Sequence, residues 1–241
     1  MRWLLCLMFV VGCAGSRQTV RWNGVSDKPL AARNISKVAN HSDEPPFLNG
    51  WPEHICFAHA EDSLTPWFNP QEAQLRVFEI KKYRAIFHGA EREEFDKRLS
   101  DLKSAIHGDA SRFPDILPAV EASPAFYTNF SPVCFDGGCG VRAVTMYVQD
   151  NNLVENGRLF YTLQGLSTDQ RYWIAAFWPV QAEGIRMQSH DLSADEIAIL
   201  NSPQLYAEYL SEQLDILEEA TYDPPLESID EIVSGLKLEI K

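Results

Sequence analysis

Three runs of β-forming residues, 141–149, 159–165 and 171–178, follow one another with turn residues between them, and they constrain the fold of this 241-residue chain more than any other feature. Each run is rich in Val, Tyr, Phe, Trp and Thr, side chains that suit a pleated surface. The links carry Asp150-Asn151-Asn152, Asn156-Gly157 and Thr168-Asp169. Such short, turn-rich connections predict an antiparallel meander in sequence order. In the last run Tyr172, Ile174 and Trp178 alternate with Trp173, Ala175 and Phe177, so both faces of the strand are apolar. A solvated face would carry polar residues, so helices or loops must cover both sides of the sheet.

The flanking segments fit that frame. Residues 54–60 and 75–80 read as two further strands, separated by a loop containing Pro66, Trp67 and Pro70. Phe95, Leu99, Leu102 and Ile106 then recur at i, i+4, i+7 and i+11 between Gly89 and Gly108, which is one face of a helix. Pro114, Pro118 and Pro124 hold the next stretch in an irregular crossing. Further on, Ser193-Ala194-Asp195-Glu196 is a capping-box pattern, and Ser202-Pro203 places an N-cap before a proline at the first helical position. Pro224-Pro225 opens a last helix with Leu226, Ile229, Ile232 and Val233 on one side and Gly235 as its stop. Leu236, Leu238 and Ile240 alternate with Lys237, Glu239 and Lys241, as expected of an edge strand protected by lysines. The fold class that follows is α+β: a mostly antiparallel sheet with helices packed on it.

At the N-terminus Arg2 precedes an apolar run over residues 3–12, followed by the small residues Cys13, Ala14 and Gly15. This is the layout of a secretory signal, and the run falls short of the roughly 20 apolar residues that span a bilayer. The tetrad Val10-Val11-Gly12-Cys13 resembles the bacterial lipobox, which implies a signal peptide over 1–12 and a lipidated Cys13 as the first mature residue. The alternative is an ordinary signal peptide cut after Gly15, with Asn34, Asn40 and Asn129 as Asn-x-Ser acceptors. Residues 13–46 are polar, without a sustained period, and end at Asp43-Glu44-Pro45-Pro46. They read as a flexible tether with a reach of roughly 30 Å. Residues 47–241 form the single globular domain, long enough to bury one good core.

Charge excludes some partners. With 21 Lys and Arg against 34 Asp and Glu, the chain has a formal charge of −13, which opposes non-specific binding to nucleic acid or to anionic lipid. Export would place Cys56, Cys134 and Cys139 in an oxidising space. The loop Cys134-Phe135-Asp136-Gly137-Gly138-Cys139 is flexible enough to bring its two sulfurs together, and closing so short a ring stabilises by roughly 2 kcal/mol. Cys56 is then left over, and the hydrophobic neighbours Ile55 and Phe57 place it in the core.

Reaction motifs are scarce. His54-x-Cys56-x-x-His59 clusters soft-metal ligands, but on a strand His59 faces away from the other two, so no metal is assigned. There is no G-x-S-x-G elbow, no HExxH, no P-loop and no G-x-G-x-x-G helix start, so no catalytic residue and no cofactor is assigned. A nucleophilic Cys139 with His54 or His190, and an anion-binding nest at Gly137-Gly138-Cys139-Gly140, are weaker readings than a plain turn. Arg142 and Gln164 are long polar groups inside apolar strands. Buried, each needs a partner within the fold; opening into a common pocket, they would mark a ligand site.

Gly140-Val141-Arg142, the stretch Leu159-Phe-Tyr-Thr-Leu-Gln-Gly-Leu166, the stretch Tyr172-Trp-Ile-Ala-Ala-Phe-Trp-Pro-Val180 and the terminal unit 226–238 together resemble a group of exported bacterial lipoproteins with no assigned activity. The cysteines at 134 and 139 depart from its pattern, as does Asp169-Gln170 where an Asp-Gly turn is common. The resemblance implies export and a shared fold, and no catalytic residue. The expected function is that of an envelope lipoprotein, anchored to a membrane by its N-terminal lipid outside the cytoplasm, with a non-catalytic role in binding a small ligand or another envelope protein, or in structure. The alternative is an envelope hydrolase whose active site uses none of the known motifs.

Overall fold

The structure is a computed structural model that describes residues 18–22, 30–35, 51–59, 69–110, 112–118, 120, 122–188 and 191–240, with 18–22, 30–35, 59 and 238–240 as backbone. The signal segment 1–12 and Cys13 lie outside the described residues, as does His190. The strands are β1 (Gln18–Trp22), β2 (Leu30–Ile35), β3 (His54–His59), β4 (Gln74–Glu79), β5 (Ser123–Pro124), β6 (Thr128–Phe135), β7 (Gly138–Thr145), β8 (Tyr147–Val148), β9 (Phe160–Ser167), β10 (Tyr172–Pro179), β11 (Gln181–Ala182), β12 (Tyr222–Asp223) and β13 (Leu236–Ile240). The helices are α1 (Ile80–Ala85), α2 (Ala90–Ile106), α3 (Ala194–Asn201), α4 (Pro203–Glu219) and α5 (Leu226–Ser234).

Seven strands make the central sheet, in the order β2-β3-β4-β10-β9-β7-β6, and every neighbouring pair is antiparallel. The meander is present: β7 pairs with β9 and β9 with β10, in sequence order. The 141–149 run is divided, because the chain leaves the sheet after Thr145 and resumes as β8, which pairs with β5. The alternation along β10 sorts into two cores. Tyr172, Ile174 and Trp178 join the core under α4 and α5, while Trp173, Ala175 and Phe177 join the core under α1, α2 and the crossing segment at Phe113, Ile116 and Leu117. Helices therefore cover both faces, which makes the fold α+β.

Local signals decide the helix ends. Ser193 Oγ accepts from the Glu196 N–H at 3.2 Å, and Glu196 Oε2 accepts from the Ser193 N–H at 2.7 Å, closing the capping box of α3. Ser202 Oγ accepts from the Leu205 N–H at 3.3 Å and Pro203 starts α4. Helix α2 is flanked by Gly89 as N-cap and His107 as C-cap, with Phe95 and Leu102 buried.

Besides the two-residue strands β5, β11 and β12, three longer strands and one helix go beyond the expectations. Strand β6 contains Pro132, which removes a ladder donor and masks the pattern, and Pro132 is tolerated because β6 is the edge of the sheet. Two strands, β1 and β2, lie within the polar stretch 13–46 read as a tether: β2 pairs with β3, and β1 pairs with β13. The lysine-bearing strand β13 thus has a partner more than 200 residues upstream. Helix α1 follows β4 without a break, too short for a periodic signal.

Close backbone approach explains Gly138, Gly140 and Gly165. A Cβ on Gly140 would lie 2.6 Å from the Gln164 carbonyl oxygen and 2.8 Å from Gly165 Cα, and one on Gly138 would meet the Phe135 ring at 2.5 Å. Phe135 covers the strand at the positions where the glycines leave no side chain.

Candidate functional site

Arg142 and Gln164 lie on opposite faces of the sheet, because Arg142 stands across from Leu163 and Gln164 across from Val141. Gln164 is fully buried. Its Oε1 accepts from Trp173 Nε1 at 2.8 Å and from the Leu117 N–H at 3.1 Å, and its Nε2 donates to Thr162 Oγ1 and to the Leu117 carbonyl. It fastens the proline-rich crossing to the sheet. Arg142 donates through Nε to Asp230 Oδ2 at 3.2 Å and through Nη1 to the Asn129 carbonyl at 2.9 Å, while Tyr161 donates its hydroxyl to Asp230 Oδ1 at 2.9 Å. Burial pushes the Asp230 carboxyl up from its ordinary value, against the pull of Arg142 and the Tyr161 hydrogen bond. Burial likewise raises Tyr161, helped by the neighbouring Asp230 charge. Asn129, at φ +54° in the irregular part of β6, sends its amide to the Leu217 carbonyl and to the Tyr222 hydroxyl. The network ties sheet, α4 and α5 together, and the two sequence candidates share no pocket.

His54 and Arg76 form a second buried group. Arg76 donates from Nε to Gln74 Oε1 at 2.6 Å, its Nη1 lies 2.9 Å from His54 Nε2, and its guanidinium sits 5.0 Å from the Trp51 ring. Arginine has no acceptor, so His54 Nε2 must be the unprotonated nitrogen and Nδ1–H donates to the Pro52 carbonyl at 2.9 Å. Burial first, and the Arg76 charge second, push His54 down to about 3. Burial also lowers Arg76, partly offset by Cys56, Tyr83 and Glu72. Cys56 is buried on β3, aligned with Arg76, and the side chain of His59 lies outside the described residues. Among the described residues, no group of three or more His, Cys, Asp or Glu side chains is placed to hold a metal ion. Nor is any described helix long and apolar enough to cross a membrane.

Cys134 and Cys139 stand directly opposite on β6 and β7, with Cα atoms 4.0 Å apart and sulfurs at disulfide distance, 2.11 Å. Asp136 at the hairpin tip pairs with Lys237 of β13, their side chains 4.0 Å apart.

A surface open to a ligand lies elsewhere, at the corner where α3 meets α4. An open cleft of about 740 Å³ separates that corner from the β5–β8 ribbon, within the size range of small-molecule and peptide sites. Its walls include Pro124, Val148, Leu200 and Tyr206, with Asp150 as the ionisable residue. The loop after Asp150 is fixed to the helices: Asn151 Nδ2 donates to the Leu200 carbonyl at 3.1 Å, Tyr206 OH to the Asn152 carbonyl at 3.1 Å, and the Val154 N–H to Tyr209 OH at 2.8 Å. The cleft is therefore preformed. Around it apolar side chains face solvent: Ile197, one turn before Asn201 on the same face of α3, is 48% exposed and Leu205, next to Tyr206, 42%. No residue of α3 is buried.

No pattern of reactive residues marks this corner in the sequence. The signal was an absence: from 187 to 236, fifty consecutive residues contain twelve Asp or Glu and no Lys or Arg. Comparison of the chain with family models, with curated proteins and with solved structures finds no match.

Proposed function

We propose that this chain is a lipoprotein of the cell envelope, anchored through lipid on Cys13, with a non-catalytic role: it binds a partner in the cleft at the α3–α4 corner. The observation that carries the binding role is the preformed cleft bordered by exposed Ile197 and Leu205 on helices that bury little of their own surface. Exposed apolar side chains beside a concave surface mark interaction sites. The hydrolase alternative has less support, because His54, Tyr161 and Asp230 are engaged with internal partners and do not line the cleft. The lipobox tetrad Val10-Val11-Gly12-Cys13 after a short apolar run supports the anchor.

Two measurements test the reading. Cys13→Ala should abolish labelling by a palmitate analogue and release the protein from the membrane fraction; unchanged labelling refutes the anchor. A photo-crosslinking residue placed at 205 or 197 in cells should give a discrete adduct that the same residue at 93, on α2, does not. Absence of adducts at both positions refutes binding at this corner.

A further inference from the structure

The chemistry of the occupant can be read from α4. Leu205, Glu208, Glu212, Ile216 and Glu219 recur at i, i+3, i+7, i+11 and i+14, so they share one face, and all five are exposed. Asp215 and Glu218 are exposed beside them. Glu208 and Glu212, and Asp215 and Glu219, are like-charge pairs four residues apart, a spacing that destabilises a helix. Glu218 and Glu219 fall in the last turn, where the helix dipole disfavours negative charge, and that turn holds no basic residue.

The contrast with α2 is internal to the protein. There Lys97 pairs with Asp101 and Arg98 with Glu94 at i, i+4, acids occupy the first turn, and Lys103 the last. Cations near the α3–α4 corner are already engaged: Arg186 with Glu155 and Glu196, and Arg158 with Asn152 Oδ1 and the Tyr147 carbonyl. Arg142, on the α5 side, is held by Asp230. Helix α4 thus violates the local rules that α2 obeys, and such violations concentrate where a partner supplies the compensation.

We propose that the cleft and the exposed face of α4 dock a cationic amphipathic segment of a protein partner, its apolar residues against Leu200, Leu205 and Ile216 and its Lys or Arg side chains against Glu208, Glu212, Asp215 and Glu219. This rests on the binding role above. Anionic lipid is disfavoured as the occupant, since the same charges repel it.

The test uses the full-length protein in nanodiscs of zwitterionic lipid and two synthetic amphipathic helical peptides with identical Leu positions, one filled with Lys and one with Glu. The Leu/Lys peptide should bind, and the Glu208→Gln, Glu212→Gln, Glu219→Gln variant should weaken it by about tenfold or more at low salt. Leu205→Ser should weaken it too. Removing the same number of acids from α2 (Glu91→Gln, Glu93→Gln, Glu94→Gln) should leave affinity unchanged. Equal loss in both triple variants overturns the proposal in favour of general charge attraction. Equal binding of the Leu/Glu peptide overturns the cationic occupant. Failure of the Leu/Lys peptide to bind, while position 205 still crosslinks in cells, overturns the occupant and leaves the binding role standing. Folding is not at risk in the α4 variant, whose thermal midpoint should rise slightly as like-charge repulsion is removed.

Discussion

Acidification should destabilise this protein through His54. In the folded chain its Nε2 faces the Arg76 guanidinium and its ring is 4% exposed, so a second proton would be buried and would set two donors against each other. The folded-state value is pushed down to about 3, whereas the unfolded chain titrates near 6.5. Between those values the unfolded state binds the extra proton, so stability falls as pH falls, and it is fully present above 6.5. At about 1.4 kcal/mol per pH unit, moving from neutrality to about pH 4.5 removes about 3 kcal/mol. Asp230 acts in the opposite sense, because its raised folded value favours the protonated native state as pH falls. The test is therefore a difference: urea unfolding of the native sequence and of His54→Gln, whose amide oxygen can still accept from Arg76. With a slope of about 2 kcal/mol per molar urea, the native sequence should lose about 1.5 M more in midpoint than the variant over that pH range. Parallel losses in the two proteins would refute the argument, since the baseline cost of the substitution cancels.

Gln164→Leu should cost about 3 kcal/mol, because it strands the buried Trp173 indole N–H and the Leu117 N–H; a thermal melt within 1–2 °C of the native protein would contradict this. Asp230→Ala should cost about 3 kcal/mol by leaving the Tyr161 hydroxyl and Arg142 without their acceptor, whereas Glu227→Gln, at 3.8 Å from Arg142 and 80% exposed, should be near neutral in chemical denaturation. Gly140→Ala should cost about 2–3 kcal/mol through contact with the β9 backbone, measured as a lowered denaturation midpoint. Reducing Cys134–Cys139 should cost about 2 kcal/mol while far-ultraviolet circular dichroism stays native, since β6 and β7 remain paired through the ladder.

What was legible in the sequence was local. The alternation of residues 172–178 predicted two covered faces, and the structure sorts the same residues into two cores. The Ser193–Glu196 pattern became a closed capping box, and the helix between Gly89 and Gly108 lies where its period put it. What failed to show was nonlocal. Strand β1 carries the polar sequence Gln-Thr-Val-Arg-Trp and acquires its meaning from β13 at the other end of the chain. Strand β6 hides behind a proline that an edge permits. Arg142 and Gln164 attracted notice as polar groups in apolar strands, which was sound, but their partners sit 88 residues ahead at Asp230 and 47 residues back at Leu117. Chain distance of that kind leaves no local mark.

The α3–α4 corner, where we propose that a partner binds, differs in character from these buried groups. Buried polar groups are legible in a sequence because they interrupt apolar patterns. In this protein those groups are spent on holding the sheet to its helices: Gln164 on one face, Arg142 with Asp230 on the other. A surface that recognises a partner has the opposite character, since its groups must remain unsatisfied until the partner arrives. On the proposed reading helix α4 has this character: its acids are spaced to repel one another, its last turn holds no cation, and Glu208 accepts from a neutral partner, the Gln204 amide at 3.1 Å. The intramolecular cost is a few tenths of a kcal/mol per pair, small against the affinity that several complementary charges and an apolar anchor return at an interface.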